Sequence, residues 1–259
     1  MNVRDLIESF YTITFSTTSH VEIIKQMLHM LNKGIDTIYQ TTFTHENIQM
    51  QMLSRNRDTL VKIKLKASAF DTFSCPKSRE VNIDTEELWN QLEHVDNNHL
   101  NITISQNNDM KIGFTNANVE TELMSCVYPT TEWRMPIPKV EFDYRIKMDS
   151  LRFYRICLNM KRYGITVKIT IRHTGITFST SSPEGSVHHT HVKHNIEGLH
   201  ENHFFQESFA VDNIVKFRGC EGLCDKVELC FKENYPLVIN IPAGNLGKIR
   251  AYISPLDNT

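Results

Sequence analysis

Five segments of the chain alternate apolar and polar residues with a period of two. In residues 60–65, LVKIKL, lysines separate the apolar Val61, Ile63 and Leu65. The other four alternating segments are residues 101–105, 167–173, 227–231 and 237–241. Successive side chains of a β-strand point to opposite faces, so this pattern predicts antiparallel sheets with one buried face and one solvent-exposed face.

Four other segments place apolar residues at helical spacing. They are residues 20–33, 84–94, 149–162 and 208–218. In the first of them, Ile24, Leu28 and Leu31 recur at i, i+4 and i+7, which predicts one buried helix face. In the second, Asp84 followed by Glu87 predicts an N-cap with a capping box. Helices mixed with antiparallel strands indicate an α+β fold.

The order of helices and strands occurs twice along the chain. Helices are predicted to start at residues 20 and 84 in the first half, and at 149 and 208 in the second. The segment between the halves, residues 125–138, contains three prolines, which is typical of a connector between domains. We therefore predict an N-terminal domain over 1–124, a connector over 125–138 and a C-terminal domain over 139–259.

Composition restricts the function classes that need considering. Of 259 residues, 22% are charged and the formal net charge is −2, so binding to nucleic acid would need locally basic surfaces. No apolar run approaches the roughly 20 residues that cross a bilayer, and Asp5 and Glu8 interrupt the N-terminus before a signal peptide could develop. We expect an intracellular protein with no membrane association and with its six cysteines reduced.

Two groups of residues could suggest a metal site. Cys220 and Cys224 are closely spaced but lack a second cysteine pair, which makes a zinc site improbable. Residues 185–194, GSVHHTHVKH, contain His188, His189, His191 and His194. On a strand His189 and His191 would share a face, yet no carboxylate stands at a spacing that completes a catalytic zinc site. We therefore expect no metal and no cofactor, and a metal-dependent hydrolase is kept only as an alternative from a different class.

Several short motifs, taken in their order along the chain, resemble the proliferating cell nuclear antigen (PCNA) family of eukaryotic sliding clamps. They are FDTFSC (70–75), VNI (81–83), IPKVEFDYRIKM (137–148), FYRIC (153–157), GITFSTSSPEG (175–185), YPLVINI (235–241) and LGKIRAYISP (246–255). The divergence of the remaining sequence is typical of a viral or otherwise fast-evolving member. The resemblance implies the DNA-clamp fold, with two similar domains, each with antiparallel sheets and two helices lining a central channel.

The same resemblance implies a function. The protein would be a DNA polymerase processivity factor, not an enzyme, that encircles duplex DNA without regard to sequence as a homotrimeric ring. It would tether a DNA polymerase and other replication and repair proteins that carry a clamp-binding peptide motif, and a clamp loader would place it on DNA. We expect it in the nucleus, or at the viral replication site if it is viral. A subunit of a heterotrimeric checkpoint clamp is the near alternative, which the absence of insertions makes less favourable.

The resemblance and the helical spacing together give a set of predicted DNA-binding residues. They are Lys25, Gln26, Lys33, Arg152, Arg155, Arg162, Lys216 and Arg218. Such side chains would contact phosphates without reading bases. The four predicted helices nevertheless sum to a charge of only +1, because the second helix carries four acids and no base. Either those acids face away from the channel, or the ring holds DNA weakly.

The family's partner-docking pocket, carried over residue by residue, gives a set of predicted peptide-binding residues. They are Leu53, Leu60, Met135, Ile137, Pro236, Tyr252 and Pro255. The sequence departs from the family pattern at Arg57, which replaces a histidine, and at Trp133, which has no counterpart. The histidine-rich segment falls where the family has an edge strand that pairs with the neighbouring subunit's strand near 116–124. Exposed backbone groups on such edges are what ring closure requires.

Overall fold

The structure, a computed structural model, describes residues 11–32, 36–93, 99–116, 119–130, 135–182, 185–192, 196–198 and 204–256. The predicted site residue Lys33, together with Trp133 and His194, lies outside these described residues. The chain divides into two compact units. Unit 1 comprises Met1–Met52, Lys62–Pro136 and Ala243–Lys248, and unit 2 comprises Leu53–Val61, Ile137–Pro242 and Ile249–Thr259.

Three of the four predicted helices form within two residues of their expected bounds. The helices are α1 (Val21–Asn32), α2 (Thr85–Leu92), α3 (Ser150–Tyr163) and α4 (Val211–Val215). The prediction for the fourth was wrong at both ends. Residues 208–210 belong to a strand in which Phe205 and Phe209 are buried, and the chain passes after α4 into a 3-10 turn, Arg218–Gly222. Among the helices in the described parts of the chain, none has the length and apolar character needed to span a bilayer.

Two antiparallel sheets form in unit 1, as the alternation predicts. The strands are β1 (Ile13–Thr17), β2 (Ile38–Phe43), β3 (Asn47–Leu53), β4 (Thr59–Lys66), β5 (Thr72–Ser74), β6 (Arg79–Asp84), β7 (His99–Ile104), β8 (Asp109–Asn116), β9 (Val119–Cys126) and β10 (Tyr128–Pro129). Neighbouring strands follow the orders β5–β1–β7–β8–β9 and β10–β6–β2–β3–β4, and the first three residues of β4 belong to unit 2. A cluster of rings fills the interior: Phe15 lies 5.2 Å from Phe70 and 6.2 Å from Phe43, measured between centroids.

Unit 2 repeats this plan, which confirms the α+β fold class. Its strands are β11 (Tyr144–Asp149), β12 (Thr166–Arg172), β13 (Gly175–Ser182), β14 (Gly185–Val192), β15 (Ile196–Glu197), β16 (Phe205–Ala210), β17 (Lys226–Phe231), β18 (Leu237–Ala243) and β19 (Gly247–Ile253). Their orders are β14–β13–β12–β16 and β19–β18–β17–β11–β15. The helix α3 buries Phe153, Cys157 and Met160 completely, which leaves its opposite face to solvent.

Acidic side chains at the helix starts supply the caps that the exposed amides need. The Asp84 carboxylate accepts hydrogen bonds from the backbone N–H groups of Glu86, at 2.9 Å, and Glu87, at 3.4 Å. Glu87 itself accepts from the Ser125 hydroxyl at 2.7 Å, so its carboxylate is held by β9. At α3, Asp149 accepts from the backbone N–H of Arg152 at 3.0 Å. The predicted cap at Asp84 is therefore confirmed.

The turn between β3 and β4 is closed by its own hydrogen bonds. The Ser54 N–H donates to the Thr59 carbonyl, and the Arg57 N–H donates to the Ser54 carbonyl, each at 2.8 Å. Ser54 also donates its hydroxyl to Asp58 at 2.7 Å. Burial raises the pKa of Asp58, but hydrogen bonds from Ser54 and Asn213 and the charge of Lys216 outweigh that effect and lower it. Ionised Asp58 thus stabilises this turn.

We predict that Asp58→Asn lowers the free energy of unfolding at pH 7 by about 1 kcal/mol, a typical net value for a hydrogen bond. Because folding lowers the pKa of Asp58, its contribution is present above the ordinary value of 3.8 and is lost as the pH falls through the folded-state value. Urea unfolding at pH 7, 5 and 3 should show the gap between wild type and variant closing at pH 3. The exposed acid Glu46 gives the control, Glu46→Gln, for which the change should stay within about 0.5 kcal/mol. A gap that is constant with pH contradicts this role.

Candidate nucleic-acid and peptide interfaces

The solvent-exposed face of α3 carries the most basic surface among the predicted DNA-binding residues. Arg152, Arg155 and Arg162 are all exposed, and each is anchored on a helix whose other face is buried. The stripe through Arg155 and Arg162 also holds Leu151 and Leu158, 46% and 41% exposed. Long guanidinium side chains on a rigid helix can contact phosphates without sequence selectivity. The sequence argument did not identify the two exposed leucines, because burial rather than periodicity distinguishes them from core residues.

Part of the positive charge of α3 is offset within unit 2. The Lys161 ammonium forms an ion pair with the Asp212 carboxylate of α4, and both side chains are more than half exposed. The Arg162 guanidinium lies 5.6 Å from the centroid of the neighbouring Tyr163 ring. An exposed ion pair contributes little to stability, but it reduces the field that a phosphate experiences. The three arginines are therefore the main basic feature of this face.

In unit 1 the predicted basic residues are fewer and less exposed. Lys25 and Gln26 on α1 are half-buried, and the Gln26 amide donates to the Glu22 carboxylate at 2.9 Å. The rings of His29 and Trp89 lie 4.9 Å apart and join α1 to α2.

The acids of the second predicted helix divide into two groups. Asp84 is occupied by the helix cap and Glu87 by Ser125, whereas Glu86 and Glu93 are exposed. Local structure thus engages the carboxylates of Asp84 and Glu87.

Lys216 and Arg218 do not lie on a helix face, contrary to the prediction. Lys216 follows the last residue of α4 and donates to the buried Asn213 side chain at 3.1 Å. Its charge also acts on Asp58. Arg218 begins the 3-10 turn and lies close to Cys157, whose pKa is raised by burial and, to a smaller extent, lowered by Arg218. Both side chains are half-buried beside neighbours of unit 2, because α4 ends after five residues.

Six of the seven predicted peptide-binding residues belong to unit 2. Leu53, Ile137, Pro236 and Pro255 are half-buried, and Leu60 and Tyr252 are 7% and 8% exposed. Met135 belongs to unit 1, where its carbonyl accepts a hydrogen bond from the Gln51 amide at 3.1 Å.

The C-terminal segment that carries Tyr252 and Pro255 is fixed by two backbone hydrogen bonds. The Ser254 N–H donates to the Asp58 carbonyl at 2.9 Å, and the Leu256 N–H donates to the Ser208 carbonyl at 2.8 Å. Two aromatic residues that the sequence argument missed lie nearby in unit 2. Tyr235 has its pKa raised by burial and by the charge of Tyr252, and its ring contacts Phe142 with the centroids 5.9 Å apart. For Tyr235, its position next to Pro236 in the sequence was the available signal.

Strands β9 and β14 each lie at the edge of a sheet, as do β5, β10, β15 and β16. In the described residues β9 pairs only with β8, and β14 pairs only with β13. The expected edge strand near 116–124 thus corresponds to β9, and His188, His189 and His191 belong to β14. On β9, the Glu122 carboxylate lies 2.9 Å from the Lys111 ammonium of β8, and Met124 is 56% exposed. Unpaired backbone groups on both strands are available to a further strand.

The cysteines are all free thiols. Burial raises the pKa of Cys157 and Cys220, and raises that of Cys224 to about 11. Since zinc binds the thiolate, these environments disfavour a site at Cys220 and Cys224. Across the parts of the chain that the structure describes, three or more His, Cys, Asp or Glu residues do not come together in a group that could hold a metal ion.

Two family models and several known proteins match this chain in sequence. The family model described as proliferating cell nuclear antigen, N-terminal domain, matches residues 15–128, and the C-terminal domain model matches residues 136–256. A probable DNA polymerase sliding clamp of Acanthamoeba polyphaga mimivirus is 28% identical over 227 residues, which are 82% of this chain and 47% of that relative. Proliferating cell nuclear antigen 2 of Drosophila melanogaster is 24% identical over 250 residues, 88% of this chain and 94% of that relative. The chain thus spans less than half the length of the mimivirus relative.

Proposed function

Because the chain belongs to the proliferating cell nuclear antigen family, we propose that it is a sliding clamp that encircles duplex DNA and holds a DNA polymerase on it. The consecutive match of both family domains, over 15–128 and 136–256, is the observation that carries this proposal. The work of such a protein is to bind and tether, which requires no bond-making chemistry. The same proposal includes loading onto DNA by a clamp loader and a location in the nucleus or at a viral replication site. It also includes the tethering of repair proteins as well as the polymerase.

The proposed ring is a homotrimer closed by strand pairing between copies. The edge strands β9 and β14 differ from each other, so one copy can offer β9 to the β14 of the next in a head-to-tail arrangement. Exposed Met124 on β9 would be covered by such a contact. Backbone pairing then removes both edges, which otherwise expose unpaired N–H and C=O groups.

We predict a mass in solution of about three times 30.1 kDa at micromolar protein, measured by light scattering after gel filtration. Met124→Asp should shift the protein toward the monomer, because it places a charge at the contact between copies. Ile38→Asp is the matched control, since Ile38 is 54% exposed on β2, away from these two edge strands. A monomer at all concentrations argues against the homotrimer, and a ring formed only with other clamp subunits would favour the checkpoint-type alternative.

The exposed arginines of α3 support the proposed contact with DNA. Phosphate contacts release counterions, so affinity falls with salt by about 0.9 logarithmic units per contact and per tenfold rise in salt. A clamp that slides must avoid strong base contacts, and the α3 face offers guanidinium groups interspersed with aliphatic side chains. The modest excess of positive charge fits a ring that retains DNA by enclosing it more than by binding it.

We predict that the double variant Arg152→Ala and Arg155→Ala weakens duplex binding in fluorescence anisotropy and reduces the slope of affinity against salt by about one unit per lost contact. The double variant Arg172→Ala and Lys226→Ala removes two exposed charges from β12 and β17 and serves as the control. Both proteins should keep the wild-type mass and melting temperature. If the α3 variant binds duplex with unchanged affinity and slope, this face is not the DNA track.

The apolar residues around the C-terminal segment support the proposed docking of partner peptides. Such a site gains affinity by burying side-chain anchors, while exposed backbone groups can pair with an extended peptide. Tyr252, which belongs to β19 and precedes the fixed residues Ser254 to Leu256, is the aromatic member of the predicted set. The proposed ligand is a peptide with a glutamine, an aliphatic anchor and two aromatic residues.

We predict that Ile137→Ala and Tyr252→Ala each weaken this peptide by roughly 30-fold, corresponding to about 2 kcal/mol for a buried anchor. Met135→Ala should act in the same direction. Tyr252→Phe separates the hydroxyl from the ring and should retain most of the affinity. Leu151→Ala, an exposed apolar residue of α3, is the matched control and should change nothing. Wild-type affinity in all three alanine variants would place the docking site elsewhere.

A further inference from the structure

The tip of the β3–β4 turn is a small basic projection. Arg55, Asn56 and Arg57 are exposed, and they stand on a backbone closed by the hydrogen bonds between Ser54 and Thr59 and between Arg57 and Ser54. Arg57 has a φ of 59°, in the left-handed region that non-glycine residues occupy at a cost. The turn therefore presents the two arginines on a defined backbone.

The acid within this turn is already engaged. Asp58 accepts hydrogen bonds from Ser54 and Asn213 and lies near the charge of Lys216. Lys216 is the base whose charge acts on Asp58, so this carboxylate is engaged within unit 2. The exposed Arg57 is a further positive charge at the surface of the same turn.

The basic turn adjoins the proposed peptide site by direct contacts within unit 2. Leu53 and Leu60 flank it in the two strands, and the Ser254 N–H donates to the Asp58 carbonyl at 2.9 Å. The residue after Ser254 is Pro255, a member of the predicted peptide-binding set. Arg55 and Arg57 therefore stand at the end of the site formed by Ser254 and Pro255.

A different part of unit 2 carries negative charge. Glu233 and Glu207 lie close enough that burial, and then the charge of Glu233, raise the pKa of Glu207. Asp143 accepts from the Glu233 N–H at 3.3 Å and lies 3.4 Å from the Lys232 ammonium. Asp143 follows Phe142 in the chain and Glu233 precedes Tyr235 by two residues, while the Arg145 guanidinium lies 5.3 Å from the centroid of the Phe142 ring. This part of unit 2 thus carries carboxylates beside cations, whereas the 54–58 turn exposes Arg57.

We infer that Arg57, with Arg55, makes the docking site selective for partner peptides that place an acidic side chain against the 54–58 turn. This inference rests on the peptide docking of the proposed function and adds its charge specificity. The selectivity is positional, because an acid on the side of Glu207 and Glu233 meets like charge. Since both arginines are exposed, the gain is modest and is screened by salt.

A fluorescent peptide with a glutamine, an aliphatic anchor and two aromatics, otherwise neutral, tests this inference. Single aspartates are introduced in turn at each position before, between and after the anchors, with asparagine at the same position as the reference. At 50 mM salt we expect at least one position at which aspartate binds about threefold more tightly than asparagine. That advantage should disappear at 0.5 M salt.

Protein variants then assign the effect to the turn. Arg57→Gln removes the charge and keeps a non-glycine residue at the positive φ. It should abolish the preference for aspartate and leave the affinity for the asparagine peptide unchanged. Arg55→Gln should reduce it. Arg172→Gln, an exposed arginine of β12 whose guanidinium lies 5.3 Å from the Phe204 ring centroid, is the matched control and should retain the preference.

The outcomes separate this inference from the proposed function. If the neutral peptide binds but no position prefers aspartate in an Arg57-dependent way, charge selection is overturned and docking stands. If the preference survives in Arg57→Gln, another basic group is responsible and the assignment to this turn is overturned. If neither the neutral nor any acidic peptide binds wild type, peptide docking fails, and this inference fails with it.

Discussion

Hydrogen bonding between antiparallel strands is the interaction on which the rest of this structure depends. Each buried backbone N–H and C=O needs a partner, and in both units the sheets supply these partners over most of the described residues. The helices contribute apolar side chains to the interior, as α3 does with Phe153 and Met160. The pairing ends at edge strands that include β9 and β14, so the same interaction that builds each unit leaves backbone groups there that a further strand could bind.

Several charged side chains stabilise local structure and are engaged within the protein. Acids that appear on the sequence to oppose DNA binding serve as helix caps at Asp84 and Asp149 or accept a hydrogen bond at Glu87. Lys161 is paired with Asp212. Arginines on α3 and Arg57 in the 54–58 turn are exposed. A protein that encloses DNA needs only weak electrostatic attraction to it, which is compatible with a small number of exposed basic side chains.

The prediction from sequence succeeded where burial repeats with a regular period and failed where the chain changes direction. Strands such as β4 and β12, and the helix α3, follow directly from alternation at two residues or recurrence at three and four. The fourth helix was predicted too long because Val211, Ile214 and Val215 fit a helical spacing, while Phe205 and Phe209 on the strand before it satisfy a period of two. Lys216 and Arg218 were consequently placed on a helix face that they do not share.

The sequence by itself determined the fold class, the repeated layout and the family, because apolar periodicity and short motifs are local properties of the chain. Only the tertiary structure decided which charges are available, since a carboxylate such as Asp58 is engaged by Ser54, which is nearby in sequence, and by Asn213, which is 155 positions away. The same holds for the basic turn beside Ser254, which depends on a hydrogen bond between residues distant in the chain. Long-range contacts of this kind have no periodic signature, so they cannot be inferred from a single sequence.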